Sequence, residues 1–126
     1  MEIDGDYISL SLTLDRSGLV WYPEIGDEVS DRGNLERISI LVDPQGLTPT
    51  ELRQSFVWLP TVEQLVEQFE ARQALIYHVG INQTLSYEAV IRTGRGVIET
   101  SGQTLRLAFG LALQELLQSS TKVPVH

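Results

Sequence analysis

The beginning of the chain alternates between apolar and polar residues, which is the pattern of a half-buried strand. From Tyr7 to Leu14 every even-numbered residue is Ile or Leu, and the residues between them are small and polar. Asp15 to Gly18 has the composition of a turn, and Leu19 to Tyr22 is a second apolar run that stops at Pro23. The pattern therefore predicts a β-hairpin, and a third strand is predicted over Leu35 to Val42.

Two helix starts follow this predicted β-structure. Thr48 precedes Pro49 and stands three residues before Glu51, and Thr61 stands three residues before Gln64. A Thr followed three residues later by Glu or Gln is a capping box, and Pro fits the first helical position. The apolar spacing after Thr61 also fits an amphipathic helix. We therefore expect a pair of helices between residues 48 and 73.

The second half of the chain repeats the order of strands and then a helix. Strands are predicted over Ala74 to Ile81, Leu85 to Thr93 and Val97 to Glu99. The last helix is predicted by an apolar stripe between Leu105 and Leu117, with Thr100 or Ser101 as its cap. Its first apolar stripe holds seven residues at helical spacing, which marks this helix as central to the core.

These elements predict an α+β fold with one mostly antiparallel sheet of about six strands, in the order βββ-αα-βββ-α. A chain of 126 residues is expected to form a single domain over 1–126. Within it, residues 1–73 and 74–118 are expected to be two βββα-like units, and residues 119–126 a loose tail.

Charge and composition exclude several classes of function. The formal net charge is −8, and there is no cysteine. Disulfides and thiolate sites are thereby excluded, and an acidic chain is a poor binder of nucleic-acid backbones. Residues 1–63 carry 12 acidic residues against four Arg, whereas residues 64–126 are balanced at five each. Without a signal-peptide pattern or an apolar run long enough for a membrane span, we expect a cytoplasmic protein that does not enter a membrane.

No motif in the sequence specifies a reaction. Gly94-Arg95-Gly96 lacks the third glycine of a dinucleotide loop and the lysine of a P-loop, so it is interpreted as a hairpin turn. The acids between Glu24 and Asp31 lack calcium-loop spacing. We predict no catalytic residues, no metal site and no cofactor.

A candidate ligand pocket is proposed around the histidine of the fourth predicted strand. Imidazole, phenol, carboxylate and guanidinium groups cluster in this part of the sequence and could bind a small polar ligand. The candidate residues are Tyr77, His78, Tyr87, Glu88, Arg92 and Arg95.

The last helix carries a second apolar strip, which predicts an interface. Leu107 and Leu111 lie four residues apart on a face separate from the core stripe, with Gly110 between them. Trp21 and Trp58, each close to a proline at the end of an element, are further interface candidates.

Three hypotheses of function follow from the sequence. The leading one is a small non-enzymatic interaction or accessory protein that binds a protein partner or forms a homodimer through the last helix. The second is a small-ligand binder or enzyme with a pocket near His78 and Arg92. The third is an acidic regulator that meets a basic protein through the segment from Glu24 to Asp31.

Overall fold

The structure is a computed structural model that describes residues 5–121. It confirms the α+β class: within these residues lie four helices and six strands, and the strands form two antiparallel sheets of three. The helices and strands, in chain order, are α1 Gly5–Arg16, β1 Glu28–Asp31, β2 Asn34–Ile40, α2 Pro49–Ser55, β3 Phe56–Trp58, α3 Val62–Ala71, β4 Leu75–Ile81, β5 Tyr87–Thr93, β6 Gly96–Gly102 and α4 Leu105–Thr121.

The expectation of one six-stranded sheet is wrong. The first sheet has the order β2-β1-β3, and the second has the order β4-β5-β6. The chain correspondingly forms two compact units, the first ending at Pro60 and the second beginning at Thr61. The reason is that β3, a three-residue strand that the sequence pattern does not predict, pairs with β1 and completes a sheet within the first unit.

The first predicted hairpin is also wrong, because residues 5–16 form helix α1. Tyr7, Leu10, Ser11 and Leu14 are all buried, and their spacing of three, four and seven residues is that of one helix face. The period-two pattern of this segment places Leu10 and Leu14 equally well on a strand or on a helix. Burial of Ser11 on the helix face is what distinguishes the two.

The predicted turn after this segment is the C-terminal cap of α1. The Leu19 amide donates to the Leu14 carbonyl at 3.0 Å, and the Gly18 amide donates to Asp15. Gly18 has φ of +101°, so the pair of bonds forms a Schellman motif with glycine at the left-handed position. Leu14 and Leu19 are both buried. Leu19 to Tyr22 is therefore not a second strand but irregular chain that leaves the helix.

The core of the first unit lies around Trp21, Val29, Leu41 and Leu52. The Trp21 indole donates to the carboxylate of Asp27 over 2.8 Å, and both residues are only 5% exposed. The same Asp27 oxygen accepts from the backbone amide of Glu24 at 2.9 Å. A buried carboxylate thus links the indole of Trp21 to the backbone at Glu24, in the segment between α1 and β1.

Both predicted capping boxes are confirmed. The Thr48 side chain accepts from the Glu51 amide, and Glu51 accepts from the Thr48 amide at 3.0 Å. Thr61 and Gln64 form the same pair of bonds at the start of α3. The hydrogen bonds from Thr48, first of all that of its backbone amide, lower the pKa of the Glu51 carboxyl. These two boxes depend only on residues three positions apart, which is why the sequence predicts them.

In the second unit α3 and α4 pack together, and α4 lies on β5 and β6. The rings of Phe69 and Phe109 meet edge to face with centroids 5.8 Å apart. The predicted cap at Thr100 or Ser101 is wrong, because β6 continues to Gly102 and the cap falls on Thr104, whose hydroxyl accepts from the Leu107 amide. Thr100 instead donates to the Ala108 carbonyl at 2.7 Å.

Candidate functional site

One face of the second sheet carries no helix in the described part of the second unit, and we call it the open face. The helix-covered face is marked by Ile91 and Ile98, which pair with each other across β5 and β6 and are buried. Neighbours along a strand point to opposite sides, and directly paired residues point to the same side. Arg92, which follows Ile91, and its partners Leu75 and Val97 therefore lie on the open face.

Four of the six predicted ligand residues share this open face. His78 pairs with Val90, and Glu88 pairs with Gly80 two residues further along β4. Arg92 stacks on the ring of Tyr77, with the guanidinium carbon 3.8 Å from the ring centroid. Such a cation–π contact contributes about 0.5–1 kcal/mol at an exposed site. The residues lie side by side on an open surface, so they do not enclose a cavity.

The imidazole of His78 lies against Gly80, two residues further along β4. A Cβ added at Gly80 would stand 3.0 Å from His78 Nε2, so glycine leaves the space that the ring occupies. The other two predicted ligand residues are elsewhere. Tyr87 pairs with Ile81 and Gly102 and points to the helix-covered side, and Arg95 lies in the turn between β5 and β6.

Strand β4 is at the edge of its sheet and exposes apolar side chains along its whole length. Leu75 is 59% exposed, Tyr77 57%, Val79 39% and Ile81 60%. Leu75 and Tyr77 lie on the open face, whereas Val79 and Ile81 pair with Ala89 and Tyr87 and point to the other side. The strand contains no charged residue and no proline. Such an edge is a template for pairing with another strand.

The residues predicted as an interface are mostly covered. Gly110 is buried in α4, and Leu107 and Leu111 are half-buried. Leu107 packs against Gly102 of β6, where an added Cβ would meet the Leu107 Cβ and Cγ at 3.1 Å. Trp21 is a core residue of the first unit, and Trp58 packs against that core. A buried indole is not available as an interface anchor, so the prediction for Trp21 is not supported.

A second feature is a groove of about 510 Å³ within the second unit. It lies between the C-terminal end of α3, the β5–β6 turn and the last turns of α4, and Arg72, Arg95 and Glu115 supply its charges. Arg72 Nη1 donates to the backbone oxygen and the side-chain oxygen of Gln68, and Arg95 Nη1 donates to the Ser119 carbonyl at 2.8 Å. Desolvation lowers the pKa of Arg72.

The acidic segment of the first half is not one continuous loop. Glu24 is exposed, Asp27 is buried against Trp21, and Glu28 and Asp31 are the ends of β1. In residues 5–121 no three His, Asp or Glu side chains are grouped so that they could hold a metal ion. None of the helices in this part of the chain has the length and hydropathy to cross a membrane.

The sequence pattern misses the edge position of β4 and the role of Arg72. The uncharged run from Leu75 to Val79 signals a strand, but only the strand order shows that it lies at an edge. Arg72 follows a helix that the sequence predicts well, and it lines a groove only because the β5–β6 turn and α4 lie beside it. Compared with family models, curated proteins and solved structures, the chain has no match.

Proposed function

We propose that this protein is a non-enzymatic interaction protein that self-associates by pairing strand β4 of one copy with β4 of a second copy. The observation that carries the proposal is the exposure of Leu75, Tyr77, Val79 and Ile81 on one edge strand. The sequence predicts self-association through the last helix. We place the contact at the sheet edge instead, because Leu107 packs against Gly102 and Gly110 is buried within the second unit.

The distribution of these side chains over both faces favours edge pairing over face-to-face docking. A partner lying on the open face would cover Leu75 and Tyr77 but would leave Val79 and Ile81 in water. A strand added to the edge places its own side chains beside those of β4 on both faces of the sheet. It also forms hydrogen bonds with the backbone groups on the outer edge of β4. Pairing along the edge is therefore the arrangement that covers all four side chains.

Charge favours a second copy as the occupant. From Thr61 onward the chain carries six acidic and five basic side chains, so the unit that holds β4 is almost neutral. Antiparallel pairing about a twofold axis brings the uncharged strand onto itself and sets no like charges within β4 opposite each other. The strongly acidic first half would repel a second copy if it formed the contact, but it does not contain β4.

The size of the interface indicates a weak dimer. Covering four half-exposed apolar side chains on each copy contributes roughly 1 kcal/mol for each side chain, or about 8 kcal/mol. Backbone hydrogen bonds add about 3–6 kcal/mol, and association costs at least about 4 kcal/mol. We expect a dissociation constant in the micromolar range.

The experiment is sedimentation velocity of the full chain at concentrations of about 1–200 μM, together with Leu75→Lys and Ile81→Lys. We expect the wild type to shift from monomer to dimer over this range and both variants to stay monomeric. A lysine on the edge strand opposes pairing because its charge would lie against the apolar side chains of the second copy and would lose hydration. Circular dichroism establishes that the variants fold.

The matched control is Leu85→Lys. Leu85 is the most exposed of the large apolar residues in the described chain, at 80%, and it lies in the turn after β4 and not on the strand. This substitution adds the same charge nearby and leaves the dimer intact if edge pairing is right. A wild type that stays monomeric at every concentration refutes the proposal. A dimer that Leu111→Glu dissociates and Leu75→Lys does not would assign the contact to α4 instead.

A further inference from the structure

We infer that the groove bounded by Arg72 and Arg95 binds the phosphoryl group of a small phosphate monoester. The inference is independent of self-association, because neither arginine lies on β4. The groove volume of about 510 Å³ is in the range of small-molecule sites, which is roughly 300–1,000 Å³. A free phosphate ion would fill only a fraction of it, so an ester with an organic part fits better.

Arg72 reaches the groove from the C-terminal cap of α3 with unused donors. A guanidinium has five N–H groups, and Arg72 uses Nη1 alone in its bonds to Gln68. Its side chain is half-buried, and no carboxylate of residues 5–121 forms an ion pair with it. A half-buried cation that forms no ion pair in the described chain is stabilised by an anion that enters the groove.

Arg95 approaches the same groove from the β5–β6 turn. The Thr93 hydroxyl accepts from the Arg95 amide at 3.1 Å and donates to the Gly96 carbonyl, so the turn is held by two local bonds. The bond from Arg95 Nη1 to Ser119 directs the guanidinium along the end of α4 and leaves Nη2 and Nε without a bond to the described chain. Two guanidinium groups from different elements thus offer free donors to one space.

The charge and polarity of the groove favour phosphate over a carboxylate. The two guanidinium groups and the Glu115 carboxylate leave the groove with a net positive charge, and a phosphate monoester, which carries about −1.5 to −2 charges at neutral pH, is attracted to it more strongly than a carboxylate with a charge of −1. Its terminal oxygens offer acceptors to more than one donor group. Glu115 and Gln73 also line the groove and offer acceptors to hydroxyl groups of the organic part.

The test is a titration of the full chain with glycerol 3-phosphate, followed by the ¹⁵N–¹H NMR spectrum at constant ionic strength. Inorganic phosphate and succinate are titrated in parallel. We expect saturable shifts centred on Gly94, Arg95 and Gly96, with glycerol 3-phosphate binding more tightly than inorganic phosphate and succinate binding weakest. Arg72→Gln and Arg95→Gln are each expected to weaken binding at least tenfold, because each removes charge-assisted hydrogen bonds to the phosphoryl oxygens.

The matched control is Arg37→Gln, which makes the same charge change on β2, outside the groove. It is expected to leave the affinity unchanged. Arg72→Lys keeps the charge but removes the planar fork, and it provides a milder variant should Arg72→Gln unfold. Shifts that do not saturate, equal affinity in the wild type and both groove variants, or succinate binding as tightly as glycerol 3-phosphate would each overturn the inference.

Discussion

Removal of the Asp27 carboxylate should destabilise the first unit far more than removal of an exposed aspartate. Asp27 Oδ2 accepts from the Trp21 indole at 2.8 Å and from the Glu24 amide at 2.9 Å. In Asp27→Ala the indole N–H stays buried without its acceptor, and an unsatisfied buried donor costs about 1–3 kcal/mol. With the partly buried amide, the loss comes to roughly 2–4 kcal/mol, a large share of the stability of so small a unit.

Tryptophan fluorescence during urea unfolding measures this loss of stability in the first unit. The chain has two tryptophans, Trp21 and Trp58, and both belong to the first unit, so the fluorescence follows the environment of residues in that unit. With a urea dependence of about 1–3 kcal/mol per molar, Asp27→Ala is expected to lower the unfolding midpoint by roughly 1–3 M. The control is Asp43→Ala, because Asp43 is exposed and accepts only from the Gln45 amide in a turn.

A double-mutant cycle separates the indole bond from other effects of the substitution. In a Trp21→Phe background there is no indole donor to leave unsatisfied, so Asp27→Ala should cost about 1–2 kcal/mol less than in the wild type. Trp58 still provides the signal. The reasoning is refuted by a midpoint for Asp27→Ala no lower than that of Asp43→Ala, or by an equal cost of Asp27→Ala in both backgrounds.

Two further substitutions should increase stability. Ser11→Ala removes a hydroxyl that is buried and makes no hydrogen bond within residues 5–121. We expect it to raise the free energy of urea unfolding by about 1 kcal/mol, whereas Ser9→Ala, at an exposed position, should raise it by about 0.5 kcal/mol or less. Equal effects of the two substitutions would contradict this explanation. Leu85 has φ of +62°, which costs a branched residue about 1–2 kcal/mol, so Leu85→Gly should raise the midpoint of thermal unfolding followed by circular dichroism. Gln83→Gly, in the same turn and without a positive φ, should lower that midpoint, and the opposite order would show that the turn is not strained at Leu85.

Some local signals in the sequence predict local structure in this protein, although the cap of α4 and the first hairpin are exceptions. The capping boxes at Thr48 and Thr61 involve residues three positions apart, so no distant part of the chain is needed to satisfy them. The β4–β5 and β5–β6 hairpins are likewise predicted by turn residues between β-rich runs. The prediction fails at α1, where a spacing of four residues satisfies both a strand and a helix and burial has to choose between them.

The candidate site shows the same division. Tyr77, His78, Glu88 and Arg92 share one face of the sheet because of the alternation along β4 and β5 and the register between them. The alternation can be predicted from the sequence, but the register shift between Ile76 and His78, which places Tyr77 beneath Arg92, cannot. Tyr87 is separated from that group because it lies on β5 but points to the helix-covered side. Arg95 is separated because it lies in the turn after β5.

The sequence by itself determines the α+β class, the caps of α2 and α3, the absence of cysteine and the confinement of the net negative charge to the first half. These properties depend on composition or on residues close together in the chain. The tertiary structure alone decides that there are two sheets, that β4 lies at an edge, and that Arg72 and Arg95 meet in one groove. Each of these depends on which distant segments pair, because strand order and burial are set by the free energy of the whole packed unit and not by any local pattern.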